Sequence, residues 1–403
     1  MEPSNCRNAT HEFLMRTAEL LHRYGTPSHR LERVMAKVAH TLGFECVVLY
    51  TPTALVASIR SDGVERTYLR RVDSGAIDAD KLIRFDAILE LLEAKEIDVA
   101  EATIRMEQAA SALPPYTAWF TALVCGLACA SIAVFFGGGW LEVLFAGAIG
   151  LAIAGLELLQ VRLQWEHGLI FPVSGFFASI CSLAVARWIC PIDDRLVTLS
   201  ALIILLPGFT ITTALTELAV GHLSAGVARL AGASATLLTL FLGVAIAWKT
   251  ASSWRSLPEV MMPVHWSFGW LALLFAPAAF AILFRVRTSR WGVVFAVSLT
   301  GYFTAKLFGD RFGVEVGSFL GALVVGCGSN LYARLRDRPA MVPLAPGMIL
   351  LVPGSLGYRS LSALLDRETI AGVDFAFGMI LVAMSLVGGL LASSVIVPPK
   401  RIL

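Results

Sequence analysis

Two apolar runs are each interrupted by a Pro-Gly pair, one at Pro207-Gly208 and one at Pro353-Gly354. Proline removes a backbone donor, and within lipid a broken helix is tolerated only where protein or a water-filled cavity satisfies the freed groups. Many transporters bind substrate at paired breaks of this kind, although a proline can also do no more than kink a membrane helix. The pairing predicts that the working site lies between the two breaks.

The two breaks belong to a weak internal duplication with an offset of 146 residues. Leu205-Leu206-Pro207-Gly208 falls on Leu351-Val352-Pro353-Gly354 at that offset. Further identical pairs share it, namely Gly175 and Gly321, Cys181 and Cys327, Leu215 and Leu361, and Leu218 and Leu364. A repeated unit with one break in each copy is typical of secondary transporters.

Each break is expected to start a half-helix near the middle of the bilayer. Pro207 and Pro353 lie eleven and twelve residues into their runs, which at 1.5 Å per residue is ~16–18 Å. The free N–H groups of a half-helix suit an anion such as a carboxylate, and nearby hydroxyls could bind a zwitterion or simply cap the helix. The candidate substrate-binding residues are Pro207, Gly208, Thr210, Thr212, Thr213, Asn330, Pro353, Gly354, Ser355 and Arg359.

Glu217 and Arg229 are the candidate coupling or gating residues. The acids of the apolar runs all fall near the ends of the runs, and they are Glu142, Glu157, Glu217, Glu315 and Asp374. Arg229 stands about one turn inside its helix, within reach of the surface. Because no carboxylate is central, the sequence does not identify the coupling ion. Glu217 is the first choice for the coupling residue.

The composition indicates a membrane protein. Of 403 residues, 57% are hydrophobic and 15% charged, with a mean hydropathy of +0.73, whereas soluble domains carry about 25% charged residues. No basic tract with interleaved aromatics is present, so a nucleic-acid partner is not expected. The seven cysteines include no metal-ligand spacing, and no cofactor motif is found. Histidines 11, 22, 29 and 40 could form a zinc site, but no further ligand completes the set, so no metal is predicted.

Residues 1–115 hold most of the charge and are predicted to form a small soluble α+β domain. A stripe of Leu14, Ala18 and Leu21 predicts a helix that ends at Gly25, and a second helix follows from Ser28 to Gly43. Three β-like runs then cover 46–50, 54–60 and 64–69, with a hairpin turn at Asp62-Gly63. Two more helices, near 78–93 and 98–113, lead to the boundary at Pro114-Pro115.

The rest of the chain is predicted to cross the membrane ten times. The spans are roughly 119–136, 140–159, 169–189, 196–218, 223–248, 266–284, 291–307, 314–331, 341–357 and 370–397. They form two five-helix repeats, 116–250 and 251–403, and since five is odd, the second repeat must be inverted. Clusters of three arginines in the loops predict that both termini are cytoplasmic. The protein is expected to lie in the inner membrane of the cell. Stripes of small residues can pack within the helix bundle or against a second copy of the chain, so the sequence does not decide whether the protein is a homo-oligomer.

Several segments resemble the threonine/serine exporter family. The N-terminal segments are Tyr24-Gly25-Thr26-Pro27-Ser28-His29-Arg30-Leu31-Glu32, Leu42-Gly43, Pro52-Thr53, Asp62-Gly63 and Arg70-Arg71-Val72. The membrane segments are Leu206-Pro207-Gly208, Thr216-Glu217-Leu218, Gly226-Val227-Ala228-Arg229-Leu230, Pro346-Gly347 and Val352-Pro353-Gly354-Ser355. The resemblance implies ten spans, a cytoplasmic N-terminal domain, and export of threonine and serine driven by the membrane gradient; split relatives imply export of small dicarboxylates.

Three functions therefore compete. The first is a secondary exporter of threonine and serine, and the second a dicarboxylate exporter in which Arg359 and Arg229 pair the extra carboxylate. The third is a membrane-tethered peptide hydrolase, although the chain has no recognisable nucleophile and base. The expected partners are thus a small-molecule substrate and membrane lipids.

Overall fold

A computed structural model describes residues 3–61, 63–73, 75–254 and 264–399. The first part of the chain is an α+β region built from helices and one three-stranded sheet. Its elements are α1 (Pro3–Arg23), α2 (Ser28–Thr41), β1 (Glu45–Thr51), β2 (Ala54–Ser61), β3 (Val64–Arg71), α3 (Ala79–Glu93) and α4 (Val99–Ser111). The predicted helices and strands are thereby confirmed, while Asp62 of the predicted turn lies outside the described residues.

The turn between α1 and α2 brings the start of α2 towards the membrane helices. Gly25 has φ +95°, and a Cβ there would lie 2.6 Å from Cγ1 of Ile77, so only glycine fits this turn. Pro27 is the N-cap of α2 and forms no side-chain cap. The first N–H groups of α2 therefore need an acceptor from elsewhere.

The sheet is antiparallel with strand order β1-β2-β3. Tyr50, Leu55 and Ile59 face inward and are fully buried, whereas Val47 and Leu49 on the alternate face are exposed. This alternation is expected of a sheet with one covered face. The inward face packs against the apolar stripes of α1 and α2 to form the core of the region.

The remainder of the described chain is helical. Its helices are α5 (Ala118–Phe135), α6 (Trp140–Leu163), α7 (Ile170–Trp188), α8 (Asp194–Leu202), α9 (Gly208–Ala219), α10 (Leu223–Thr250), α11 (Trp266–Leu283), α12 (Trp291–Phe312), α13 (Val314–Arg336), α14 (Met341–Ile349), α15 (Gly354–Leu365) and α16 (Thr369–Ile396). Within the described ranges, eight stretches are long and apolar enough to cross a membrane, and the α14–α15 segment is one of them. The ninth predicted span ended too early, because α15 continues to Leu365.

The helix bounds repeat at the offset found in the sequence. Moved by 146 residues, the ends of α9 fall on the ends of α15, and the ends of α10 on those of α16. Glycines at equivalent positions of the two copies also lie where two helices cross at close distance. A Cβ on Gly243 of α10 would lie 2.0 Å from the carbonyl oxygen of Pro172 in α7, and one on Gly389 of α16 would lie 2.3 Å from that of Phe319 in α13. Glycine thus permits the same close helix packing in both copies.

The α+β region packs directly on the membrane helices. Its core is continuous with Ala225 of α10 and with Met341 and Ala345 of α14. The start of α3 also contacts the turn after α11, where Arg285 donates to Asp78 (2.7 Å) and Arg287 to Asp80 (2.5 Å). Both aspartates are buried, so the contact is fixed by charge-assisted hydrogen bonds as well as by apolar packing.

Candidate functional site

Both Pro-Gly pairs break a helix. The helical residues stop at Leu202 and resume at Gly208 in the first copy, and they stop at Ile349 and resume at Gly354 in the second. Pro207 and Pro353 are the N-caps of α9 and α15, with nearly equal backbone angles and no side-chain cap. By contrast, α8 is capped by Asp193, which accepts from the N–H groups of Arg195 and Leu196. The two half-helices thus begin without the partner that a capped helix start has.

The two breaks touch each other. A Cβ built on Gly208 would lie 2.3 Å from Cγ1 of Val352 and 3.0 Å from Cα of Gly354, and one on Gly354 would lie 3.4 Å from Cβ of Leu206. Gly208 and Gly354 are both buried. Each helix start carries about half a positive charge, so two of them meeting away from water attract an anionic group. The breaks are closed on each other in this conformation, and a ligand between them requires them to separate.

The predicted hydroxyls divide into two groups. Thr212 donates to the carbonyl oxygen of Gly208 (3.2 Å) and Thr213 to that of Phe209 (2.9 Å), so both are satisfied within α9. Thr210 and Ser355 lie in the first turns of α9 and α15 and are half-buried. These two are therefore the predicted hydroxyls that remain available at the breaks.

Helices α7 and α8 contribute buried hydroxyls that the sequence analysis did not assign to substrate binding. The side-chain oxygens of Ser174, Ser179, Thr198 and Ser200 are buried and have no hydrogen-bond partner among the described residues. An unpaired buried hydroxyl costs about 1–3 kcal/mol. The equivalent residues of the second copy, Leu320, Val325, Leu344 and Pro346, carry no hydroxyl. Comparing the two copies position by position would have revealed this one-sided polar group.

Two predicted residues lie away from the breaks. Asn330 donates through Nδ2 to the carbonyl oxygen of Val397 (2.9 Å). Gly321 of the same helix lies beside Leu351 at the break, and Asn330 lies nine residues further on, which is about 13 Å along the helix. Arg359 is exposed, with its guanidinium 5.3 Å from the ring centroid of Phe136. In this conformation tertiary contacts hold both side chains away from the contact between the breaks, and their assignment to the site stays a prediction.

Glu217 and Arg229 form a buried ion pair. The Nε of Arg229 donates to Oε2 of Glu217 (2.9 Å), and its second nitrogen donates to Oε1 (3.1 Å). Glu217 is fully buried, although its position suggested the surface end of a span. The equivalents in the second copy are Ala363 and Phe375. The pair thus belongs to the first copy, and Arg229 is not free to bind a second substrate carboxylate.

The same carboxylate caps the start of α2. Oε1 of Glu217 accepts from the backbone N–H of Ser28 (3.1 Å) and from its hydroxyl (2.8 Å), and Ser28 is fully buried. Glu217 therefore supplies the acceptor that Pro27 cannot, in the position where a helix start favours negative charge. Each charge-assisted bond contributes about 1.5–3 kcal/mol. The contact joins the α+β region to the half-helix that begins at the first break.

Two histidines line this contact and are held neutral. Burial lowers the pKa of His22 to about 4 and that of His29 to about 3. The ring of His29 lies 6.3 Å from the ring of His222 in the α9–α10 turn, and His222 pairs with Glu32 (3.2 Å). His22 contacts the hydroxyl of Tyr50, and Nδ1 of His11 lies 2.8 Å from that of Tyr68. These histidines thus serve separate contacts, and the described residues hold no group of three metal ligands.

Two family profiles match the chain. The profile described as "Putative threonine/serine exporter" matches residues 12–251, and the one described as "Threonine/Serine exporter, ThrE" matches residues 270–396. The chain belongs to the threonine/serine exporter family. The resemblance seen in the sequence motifs is thereby confirmed, and the family membership covers both the α+β region and the membrane helices.

Curated relatives of this exporter-family chain come from fungi, and several of them are named as membrane proteins. It is 26% identical to the pheromone-regulated membrane protein 10 of Saccharomyces cerevisiae and 25% identical to that of Eremothecium gossypii, each over 96% of this chain. It is 26% identical to an uncharacterized protein of Schizosaccharomyces pombe over the same share. The chain spans about half the length of these relatives (54%, 56% and 55%). No solved structure matches it.

Proposed function

We propose that the chain is a secondary transporter that exports threonine and serine from the cytoplasm, with the substrate bound where the two Pro-Gly breaks meet. The observation that carries the proposal is the contact between two uncapped, buried helix starts in a chain of the exporter family. The helix starts would bind the carboxylate of the amino acid. The chain would act as a carrier and not as an enzyme.

Ten spans in two inverted repeats are part of the proposal. The end of α9 and the start of α14 both lie against the α+β region, through Glu217 and Met341. The start of α8 and the end of α15 meet instead through Arg195 and Asp366 (2.6 Å). The two broken segments therefore enter from opposite sides, which supports counting each of them as one span of an inverted repeat.

A hydroxylated substrate is favoured by the unpaired hydroxyls of α7 and α8. Thr198 and Ser200 stand in the last turns before the first break, on the element that must move if the breaks separate. They can exchange hydrogen bonds with a substrate hydroxyl or accept from an ammonium group. A site that uses buried hydroxyls in this way discriminates against analogues that lack the matching group.

A dicarboxylate substrate finds less support. Its second carboxylate was assigned to Arg229 and Arg359, but Arg229 is paired with Glu217 and Arg359 is exposed beside Phe136. The uncapped helix starts alone offer partial charges, which suit one carboxylate better than two. Threonine and serine are therefore preferred over succinate.

The protein would lie in the inner membrane with both termini cytoplasmic. Arg285 and Arg287, which bind the α+β region, and Arg334, which donates to the carbonyl oxygen of Pro398, lie on the side of that region. Cytoplasmic loops carry an excess of arginine and lysine. The α+β region would then cover the cytoplasmic side of α14 and of the α9–α10 turn.

The test is transport by the purified full chain in liposomes. Vesicles loaded with radiolabelled threonine, serine or succinate would release the two amino acids faster than protein-free vesicles, and succinate at the protein-free rate. Faster release of succinate alone would show that the chain exports dicarboxylates and not threonine or serine. No release of any of the three would refute export of either class.

A further inference from the structure

Glu157 lies on α6 beside the first break. Together with residues of three other segments it lines a cavity of about 10 Å³, roughly the space of one water molecule. The residues of this cavity that matter are Glu157, Cys125 and Cys129 of α5, Ala201 of α8, and Ile204 and Leu205 of the break itself. The cavity therefore joins a carboxylate to the backbone that interrupts the first broken helix.

Glu157 differs from the other acids of the spans because it is partly buried and its carboxylate has no partner in the described part of the chain. Glu142 accepts from the N–H groups of Gly139 (3.0 Å) and Asp193 (3.1 Å), so it fixes the start of α6. Glu217 is fixed by Arg229 and Ser28. Glu315 and Asp374 are exposed. Glu157 is half-buried, and an intramembrane carboxylate in this setting is a candidate proton site.

The surroundings of Glu157 are almost uncharged. The groups that face it are the thiols of Cys125 and Cys129, and Cys129 donates to the carbonyl oxygen of Ala201 (3.5 Å). Helices α5 and α11 contain no charged residue, α7 carries Arg187 near its C-terminal end, and the charges of α8 are in its first turn. On α6 itself, Arg162 follows five residues after Glu157 and is exposed. None of the described residues therefore places a fixed positive charge on the Glu157 carboxylate, and a proton can neutralise it.

We infer that Glu157 is the proton-binding site that couples export to the membrane gradient. In this inference, which rests on the proposed function, a proton from outside forms the O–H bond with the carboxylate and is released to the cytoplasm as threonine leaves. The neutral acid tolerates the narrow cavity of the closed breaks. The carboxylate needs hydration, which widens the cavity and displaces Ile204 and Leu205, so that the first break, to which they belong, moves away from the second. The inference replaces Glu217 as the coupling residue.

The test compares two modes of transport in liposomes that contain the full chain. Net threonine movement against its gradient, driven by a pH difference, requires proton coupling, whereas exchange of internal for external threonine does not. In Glu157→Gln we expect the driven movement to fall at least about tenfold while exchange stays within about twofold of wild type. Glu166→Gln, on the exposed loop after the same helix, should preserve both modes.

Two results would overturn the inference. One is pH-driven accumulation by Glu157→Gln at the wild-type rate, and the other is equal loss of driven movement and exchange in a variant that remains folded. A second measurement does not need the substrate: the pH-dependent infrared difference spectrum should contain a protonated-carboxyl component in the wild type that is missing from Glu157→Gln. If the wild type moves neither threonine nor serine, the proposed function fails, and the infrared titration still decides whether Glu157 binds a proton.

Discussion

Gly208→Ala is the substitution that most directly perturbs the contact between the breaks. The added Cβ would lie 2.3 Å from Cγ1 of Val352 and 3.0 Å from the backbone of Gly354, so the two breaks must move apart. Overpacking of this kind costs about 1–3 kcal/mol. Even 1–2 kcal/mol lowers the ratio of closed to separated breaks by roughly 5–30-fold.

The assay is threonine efflux from liposomes that contain equal amounts of each variant. If the transport cycle passes through the closed breaks, Gly208→Ala should lower the efflux rate by at least about fivefold. Gly354→Ala is a graded comparison, because its Cβ meets its nearest neighbours at 3.4 Å and needs little movement. Gly232→Ala in α10 and Gly378→Ala at the equivalent position of α16 are the matched controls, since a Cβ there meets nothing within 4 Å.

The reasoning would be refuted if Gly208→Ala exported threonine at the wild-type rate, because the closed contact would then have no part in transport. Equal losses in Gly232→Ala and Gly378→Ala would also contradict it. Alanine in an open helical position is expected to stabilise the helix slightly, so a loss there would come from backbone stiffening and not from the break.

Two further predictions concern the α+β region. Glu217→Gln leaves Arg229 without its counter-ion and should destabilise the protein by about 3–5 kcal/mol, whereas Ser28→Ala removes one hydrogen bond of its hydroxyl and should cost about 1–3 kcal/mol. Thermal unfolding would rank the two variants, with the exposed Glu166→Gln as the control. Equal melting temperatures for Glu217→Gln and wild type would contradict the buried ion pair. Burial lowers the pKa of His22 in the folded protein to about 4, so below pH 6.5 the unfolded state binds more protons than the folded state. The free energy of unfolding should therefore be retained above pH 6.5 and fall as the pH drops from 6.5 towards 4. Hydrogen exchange in α1 and α2 that does not change between pH 7 and 5 would contradict this prediction.

Local patterns in the sequence were sufficient for the α+β region. The stripe of Leu14, Ala18 and Leu21 has helical spacing, and Gly25 stops it because its φ of +95° excludes other residues. The breaks were also readable, because proline interrupts a helix whatever surrounds it. The identical lengths of α9 and α15 follow from the same duplication that placed the two Pro-Gly pairs 146 residues apart.

Long-range partners were not readable from one sequence. Glu217 looked like an acid at the membrane surface because it lies near the end of a predicted span. Its hydrogen bond to Ser28 could not be predicted, since Ser28 is 189 residues away in the chain. Arg359 follows the second break closely, yet the helix turns its side chain towards Phe136. Glu157 was classed with the acids at span ends, since nothing in the sequence indicates that α6 faces Ile204 and Leu205. In each case the function depends on which helix faces the residue, and tertiary packing decides this.

A disulfide between the two breaks tests the central claim most directly. Cβ of Leu206 lies 3.4 Å from the Cβ position of Gly354, close to the spacing of about 3.5–4.5 Å in natural disulfides. In a background without the native cysteines, Leu206→Cys with Gly354→Cys should cross-link on oxidation, lose threonine efflux, and regain it on reduction. A pair that does not cross-link, or a cross-linked protein that still exports threonine, would contradict the account.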